Sequence, residues 1–536
     1  MRSIQVLDCT LRDGGYVNDW DFGYNNIKRI ISNLNESDID IIECGFIRDK
    51  SEKVEKDENH SNYDSFSSLI KYDKKLFKKD KDYCLMLLAE TYNVDNLKMR
   101  TQNYINTIRL SFHKSDMEKG LAMAKIIKEK GYKLFLQPTA TMGYSDDEII
   151  ELLKKCNEIM PESVAIVDTF GEMLPNNVVW LTNLFDKYLD KNIKLSFHAH
   201  NNLQTAYSNA IIFMNNTSLD RNIVIDSSIY GMGRGAGNLP TELILDYLNK
   251  YYDKEYNLLP ILNTVDNILL KIKEDNYWGY SLEYYLSAIH HCHPKYGIYF
   301  SQNKTLTTSD ISTLLDSISD DKRIDFDLDY AQGLYQSFCE KEVDVSDNYD
   351  KLIDIIGKKD IILIGPGSSI TKEQQKIGDL VNDRKKYFSI AINSNLIFDT
   401  NAVFCSNRKR YQELDIDKAK QYIFTSNVIS KDTSDLVFDY QECLASEYEN
   451  SDNSLLMLLN ILKQCKLSNK VLLAGFDGFS INHDDNFYKE DILYVIDKNK
   501  ISELNNLITK YIKFYKKKLN IEFLTKSLYN LENKYD

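Results

Sequence analysis

The sequence predicts an α/β protein: a (β/α)8 TIM barrel with appended helices and a second, smaller α/β domain. Three observations lead there. At roughly 150 residues per domain, a 536-residue chain holds more than one. Over about the first 250 residues, eight short β-rich runs alternate with longer stretches whose apolar residues recur at helical spacing, the count and length of a closed barrel. The chemically distinctive residues also fall at the C-terminal ends of those runs, the face on which barrel enzymes assemble their sites. An open doubly wound sheet is the competing architecture.

The runs are Ile4 to Cys9, Ile39 to Cys44, Tyr83 to Leu88, Ile105 to Leu110, Lys133 to Pro138, Ser163 to Asp168, Ile193 to His198 and Asn222 to Ser227. Segments such as Asp116 to Lys130 and Asp146 to Ile159 read as the intervening helices. The barrel domain is set at residues 1–255 and a helical, aromatic-rich region at 256–345. The acidic stretch Glu340 to Asp350 has the composition of a connector. A Rossmann-like domain follows at 359–536, with strands Asp360 to Ile364, Phe388 to Asn393, Ala402 to Cys405 and Val471 to Ala474. From Lys500 the spacing of Leu504, Leu507, Ile508, Tyr511, Ile512 and Tyr515 predicts a closing helix.

Composition narrows the function. Hydrophobic residues at 43% and charged residues at 27% describe a chain able to bury a core. A net charge of −14 is the wrong sign for nucleic-acid binding by general electrostatics. With no apolar run long enough to span a bilayer and no leader, the chain is expected to be cytoplasmic. Nine scattered cysteines without a C-x-x-C pair favour buried, reduced thiols over disulfides or a cysteine zinc site.

His198-Ala199-His200 ends a strand, where residues two apart share a face, so both imidazoles point to the barrel mouth. With Asp13 from the first loop they form a two-nitrogen, one-carboxylate set for a divalent cation. Without the barrel, His-x-His is only a polar strand end. Arg12, beside Asp13, adds a second positive centre able to share an anionic oxygen, which suits enolate chemistry. The alternative is a surface Asp-Gly-Gly turn with a solvated Arg. Glu43 ends a buried strand and needs a cation such as Arg12 beside it, for catalysis or as a structural ion pair.

Asp8-Cys9-Thr10-Leu11-Arg12-Asp13-Gly14-Gly15, Ile42-Glu43-Cys44-Gly45, His198-Ala199-His200-Asn201-Asn202 and Gly231-Met232-Gly233-Arg234-Gly235-Ala236-Gly237-Asn238 together resemble the metal-dependent TIM-barrel aldolases and acyl-CoA lyases. That superfamily contains 4-hydroxy-2-oxovalerate aldolase, hydroxymethylglutaryl-CoA lyase and isopropylmalate synthase, and the first of these is the nearest in motif. The resemblance implies Asp13, His198, His200 and Asn238 around the metal, Arg12 as the enolate-stabilising residue and Glu43 as the acidic member of the signature. One position departs: where those aldolases carry a histidine three residues after the metal-binding Asp, this chain has Tyr16. A tyrosine, with an ordinary pKa of about 10, donates a proton readily but is a poor base. A histidine of the appended helices, His290, His291 or His293, could restore a titratable imidazole, and His291 is the candidate.

The loop Gly231 to Gly237 also fits G-x-G-x-x-A, but it falls in the eighth unit and lacks an acidic strand end about 20 residues on. Gly233 and Gly235 are instead expected to bind an anionic part of the substrate. In the second domain Gly365, Gly367 and Ser368 form a candidate phosphate cradle without a Walker lysine. With Asn393-Ser394-Asn395, Ser406-Asn407-Arg408 and Gly475-Phe476-Asp477-Gly478, this domain faintly resembles nucleotide-sugar-binding folds of sialyltransferase-like and motility-accessory proteins.

The expected activity is that of a divalent-metal-dependent aldolase, a lyase or synthase working through the enolate of a 2-oxo acid such as pyruvate, with an aldehyde as partner. Mn²⁺ or Mg²⁺ is the expected ion, with Co²⁺ as a substitute. A nucleotide or nucleotide-sugar at the C-terminal domain, a role in surface-polysaccharide precursor synthesis and a homo-oligomer complete the expectation. The competing readings are a Claisen-type acyl-CoA condensing enzyme, a non-haem iron oxygenase, and a glycosyltransferase or nucleotide-sugar-binding protein with a degenerate barrel.

Overall fold

The structure is a computed structural model that describes residues 2–49, 52, 55, 57–65, 74–101, 104–303, 305–339, 347–417, 419–428, 435–448, 451–480, 487 and 500–530. Each expected run of the first 250 residues supplies a barrel strand: β1 Ile4–Asp8, β2 Ile41–Ile47, β3 Asp82–Leu88, β4 Thr107–Phe112, β5 Lys133–Pro138, β6 Ser163–Asp168, β7 Lys194–Ala199 and β8 Ile223–Ser227. The strands are parallel and adjacent in sequence order, and β1 pairs with both β2 (Leu7 opposite Ile41) and β8 (Ile4 opposite Ile223). The sheet is therefore closed, and the open-sheet alternative falls. A two-residue strand, Asn62–Tyr63, extends β2 at its far end.

Period-two alternation divides each strand between two environments. Val6, Ile42, Leu85, Ile108, Leu110, Leu134, Val164, Leu195 and Ile225 join the large core that also holds the helices. Their neighbours Leu7, Cys9, Ile41, Cys84, Phe135 and Val224 form a separate small cluster, the packed floor of the barrel interior. Helix Tyr24–Glu36 buries Ile27, Ile30, Ile31 and Leu34 at spacings of three and four. Helix Asp146–Ile159 begins with a reciprocal capping box between Ser145 and Glu148, a cap of about 1 kcal/mol.

By internal contacts the chain forms two compact units, Met1–Ile298 with Ile318–Phe326, and Tyr299–Ser317 with Asp327–Asp536. The helices between residues 256 and 339 are divided between them. Of the expected connector, residues 340–346 lie outside the described residues, and its end already belongs to helix Asn348–Ile356.

Among the described residues the second unit carries seven parallel strands: β9 Asp360–Ile364, β10 Tyr387–Ile392, β11 Ala402–Cys405, β12 Gln421–Thr425, β13 Leu436–Phe438, β14 Lys470–Ala474 and β15 Asn520–Phe523. Their spatial order is β13-β12-β11-β10-β9-β14-β15, with the chain's direction of travel reversing at β9. Helix Ile501–Tyr515 packs Ile508, Tyr511, Ile512 and Tyr515 inward, and a further strand, β15, follows it. Among the described residues no helix is long and apolar enough to cross a membrane. All nine cysteines are free and buried.

Candidate metal centre and active site

Asp13 reaches the barrel mouth through a tight turn after β1, in which the amides of Arg12 and Asp13 both donate to the Cys9 carbonyl, at 3.0 and 2.8 Å. The two glycines that follow are dictated by crowding: a Cβ on Gly14 would lie 2.3 Å from the Thr10 carbonyl, and one on Gly15 would lie 1.9 Å from the Trp20 ring. Arg12 and Asp13 are 5% and 1% exposed, so the turn is no solvated surface feature.

The strand ends bring the expected residues together. His198 Nε2 lies 3.1 Å and His200 Nε2 3.8 Å from the same Asp13 oxygen, Oδ2. Asn238, bridged to His200 through the backbone, places its side-chain nitrogen 3.4 Å from His198 Nε2. Its Oδ1 is buried and has no hydrogen-bond partner among the described residues. A Cβ on Gly233 would fall 1.7 Å from that oxygen and 3.3 Å from Asp13 Oδ1, so only glycine fits there. Gly235, at φ +71°, likewise leaves room for the Asn202 side chain, whose Oδ1 accepts the Ala236 amide at 2.8 Å. The two glycines thus shape the wall of the site.

The donors suit a divalent ion. Burial alone would raise the Asp13 carboxyl, but Arg12, His200 and His198 hold it well below the usual carboxylate range. Burial pushes His200 down to about 3 despite Asp13, leaving a neutral imidazole ready to coordinate. Burial also lowers His198, but the hydrogen bonds to Asp13 and Asp226 outweigh it and raise the group, and those two carboxylates would attract a metal ion equally well. One carboxylate, two imidazole nitrogens and an orphaned amide oxygen form an open set suited to a divalent cation.

Around this set runs a closed ring of buried charge. Arg12 donates to Asp13 Oδ2 at 2.6 Å and to Glu43 Oε2 at 2.9 Å. Glu43 Oε2 also accepts from Arg109 at 2.7 Å, Arg109 pairs with Asp226, and Asp226 Oδ2 lies 3.0 Å from His198 Nδ1. Glu43 is thus tied to two guanidiniums, and Asp226 fixes the orientation of a candidate metal ligand. Arg109 and Asp226 were not anticipated from the sequence. The signal was present, because each occupies an inward position of a strand whose alternate residues, Ile108 and Leu110 or Ile223 and Ile225, are apolar.

Tyr16 stands at the mouth, 39% exposed, with its ring 4.8 Å from that of Trp20 and the Arg234 guanidinium 5.6 Å from its centroid. His291 is exposed, has a left-handed backbone at φ +52°, and bonds through Nδ1 to Glu172 Oε2 at 2.5 Å. That pairing raises its pKa. His293 faces the same loop, its ring 6.4 Å from that of Phe170. Asp168, at the end of β6, is buried and raised to about 8 by desolvation and by Glu172.

In the second unit, the loop expected to cradle phosphate holds an internal carboxylate. Asp477 Oδ2 accepts the Ser369 amide at 2.7 Å and the Ser368 hydroxyl at 3.4 Å. A Cβ on Gly365 or Gly367 would meet the Gly475 carbonyl at 2.7 or 2.5 Å. These glycines allow two loops to touch, and a phosphate at the Ser369 amide would meet Asp477.

Comparison with known proteins agrees with this geometry. Residues 3–267 match the model of the HMGL-like family. The chain is 26% identical over 257 residues to a 4-hydroxy-2-oxovalerate aldolase of Geobacillus genomosp. 3, covering 46% of this chain and 71% of the relative. It is 21% identical over 247 residues to an oxaloacetate decarboxylase of Mycobacterium tuberculosis, covering 46% and 70%. The crystal structure of the N-terminal domain of a Bacteroides vulgatus protein superposes with a TM-score of 0.51 at 28% identity, covering 57% of this chain and 98% of that one. With the closed barrel, these matches place residues 3–267 in the HMGL-like family, among the TIM-barrel aldolases and lyases.

Proposed function

We propose that the barrel is a divalent-metal-dependent aldolase that joins the enolate of a 2-oxo acid such as pyruvate to an aldehyde. The observation that carries this reading is that His198 Nε2 and His200 Nε2 lie 3.1 and 3.8 Å from one oxygen of Asp13, beside the orphaned Oδ1 of Asn238 and the Arg12 guanidinium. A divalent ion held by Asp13, His198, His200 and Asn238 supplies a Lewis acid that lowers the cost of the enolate.

The chain's own residues do the rest. Arg12 is locked by Asp13 and Glu43, so its remaining guanidinium nitrogen, buried and without a partner among the described residues, is aimed in advance at developing negative charge. Preorganisation of this kind needs no rearrangement as the charge appears. Tyr16 presents its hydroxyl at the mouth, where it protonates the alkoxide formed as the aldehyde is attacked. Over the cycle the proton lost from the 2-oxo acid's methyl group replaces the one that Tyr16 gives to the alkoxide, and cleavage uses the same groups in reverse.

The test is exchange of pyruvate methyl protons with deuterated water, followed by NMR with Mn²⁺, Mg²⁺ or Co²⁺ and no aldehyde. Exchange that requires the metal and disappears in His200→Ala is the expected result. Silence with every ion would end the aldolase reading, and turnover with acetyl-CoA but no aldehyde would replace it with a Claisen condensation.

A further inference from the structure

The buried guanidiniums of the barrel are neutralised: Arg12 by Asp13 and Glu43, Arg109 by Glu43 and Asp226, Arg221 by Asp186. Arg234, in the loop after β8, is the exception at the mouth. Its backbone amide donates to Asp13 Oδ1 at 3.3 Å, which ties the residue to the metal centre. Its side chain then runs outward, donating one N–H to the Thr169 carbonyl at 3.0 Å and lying over the Tyr16 ring. Among the described residues no carboxylate bonds to this half-buried guanidinium. Glu172, the acidic residue of the loop after β6, is paired with His291. Burial, with the nearby charges of Arg234 and Lys295, holds the His293 imidazole well below its ordinary pKa. A partly dehydrated cation that no carboxylate among the described residues neutralises is a site that an anion would complete.

We infer that Arg234 binds an anionic group, a carboxylate or a phosphate, at the far end of the aldehyde substrate, so that the acceptor is a charged aldehyde. This rests on the aldolase reading and adds the substrate class to it. The 2-oxo acid's own carboxylate belongs nearer the metal and Arg12. The Arg234 guanidinium stands a side-chain length away from Asp13, where the second substrate's other end would lie. The Tyr16 ring lies beneath that guanidinium, 5.6 Å from it.

The test measures kcat/KM for addition of pyruvate to matched acceptors, succinic semialdehyde against butanal and glyceraldehyde 3-phosphate against glyceraldehyde. The wild-type enzyme is expected to favour one charged member at least tenfold, and Arg234→Gln to cut that ratio by about tenfold to a hundredfold, the scale of one charge-assisted hydrogen bond. Arg234→Lys should recover part of it, since a point charge replaces a planar fork. A wild-type ratio near one, or a ratio unchanged in Arg234→Gln, overturns the inference. So does a raised KM for pyruvate in the exchange assay with the aldehyde ratio intact, because Arg234 would then read the oxo acid. Exchange without any acceptor preference removes this inference alone, whereas absence of exchange removes the aldolase reading and the inference with it.

Discussion

Replacing Asp226 with asparagine tests whether the buried charge ring prepares the metal centre. Asp226 shares one oxygen between His198 Nδ1, at 3.0 Å, and Arg109, and the three groups are almost wholly buried. The ring holds the carboxylates of Asp13, Glu43 and Asp226 against the guanidiniums of Arg12 and Arg109, one negative charge in excess, which a divalent ion turns into one positive. Asparagine removes that excess and weakens the bond that orients His198. Loss of such a supporting carboxylate lowers metal affinity by roughly 10- to 100-fold. Arg109 keeps Glu43, so the stability cost should fall at or below the low end of the ~3–5 kcal/mol seen when a buried pair is broken. Calorimetric titration with Mn²⁺ gives the affinity and urea unfolding of the metal-free protein gives the stability. If Asp226→Asn binds Mn²⁺ within twofold of wild type while His200→Ala does not bind it, the ring is packing and the argument for preorganisation is wrong.

Three further outcomes are expected. Tyr16→Phe should lower kcat for aldol addition by about 10²- to 10⁴-fold, the usual contribution of a positioned proton donor, and rapid turnover by this variant would remove Tyr16 from the chemistry. Gly233→Ala should weaken Mn²⁺ binding, because its methyl would overlap Asn238 Oδ1, at a cost of about 1–3 kcal/mol of overpacking; unchanged calorimetric affinity would show that the loop yields freely. The His291–Glu172 pair raises His291 above its ordinary 6.5, so its stabilisation is complete below that pH and disappears as pH rises through the folded-state value. The gap in urea midpoint between wild type and His291→Ala should therefore narrow from pH 5.5 to about pH 9, and a constant gap would refute the pairing.

The barrel was legible because each strand is a short β-branched run bounded by helical periodicity, and eight such units have few ways to close. The grouping of His198 with His200 was legible because a strand end fixes where alternate side chains point, and that of Asp13 because it follows the first strand on the same face of the barrel. What stayed hidden depended on partners distant in the chain. Arg109 and Asp226 look like single polar interruptions in apolar strands until register places them beside Glu43 and His198. Strand β12 was missed because Gln421–Thr425 is short and follows a polar stretch, and β15 because Asn520–Phe523 alternates polar and apolar residues as an edge strand does. The Gly365 loop shows the opposite error. Its glycines suggested room for a ligand, whereas they serve the contact with Gly475 and Asp477.

The proposed metal ligands lie at the two ends of one closed ribbon: Asp13 follows the first strand, and Asn238 follows the last. The amide of Arg234 and the Asp13 carboxylate meet across 221 residues of sequence. Ion binding would therefore fasten the seam where the barrel closes, as a clasp holds a bracelet. A nascent chain emerging from the ribosome would have no competent site until its eighth strand had docked against its first, so metal uptake would report completion of the barrel.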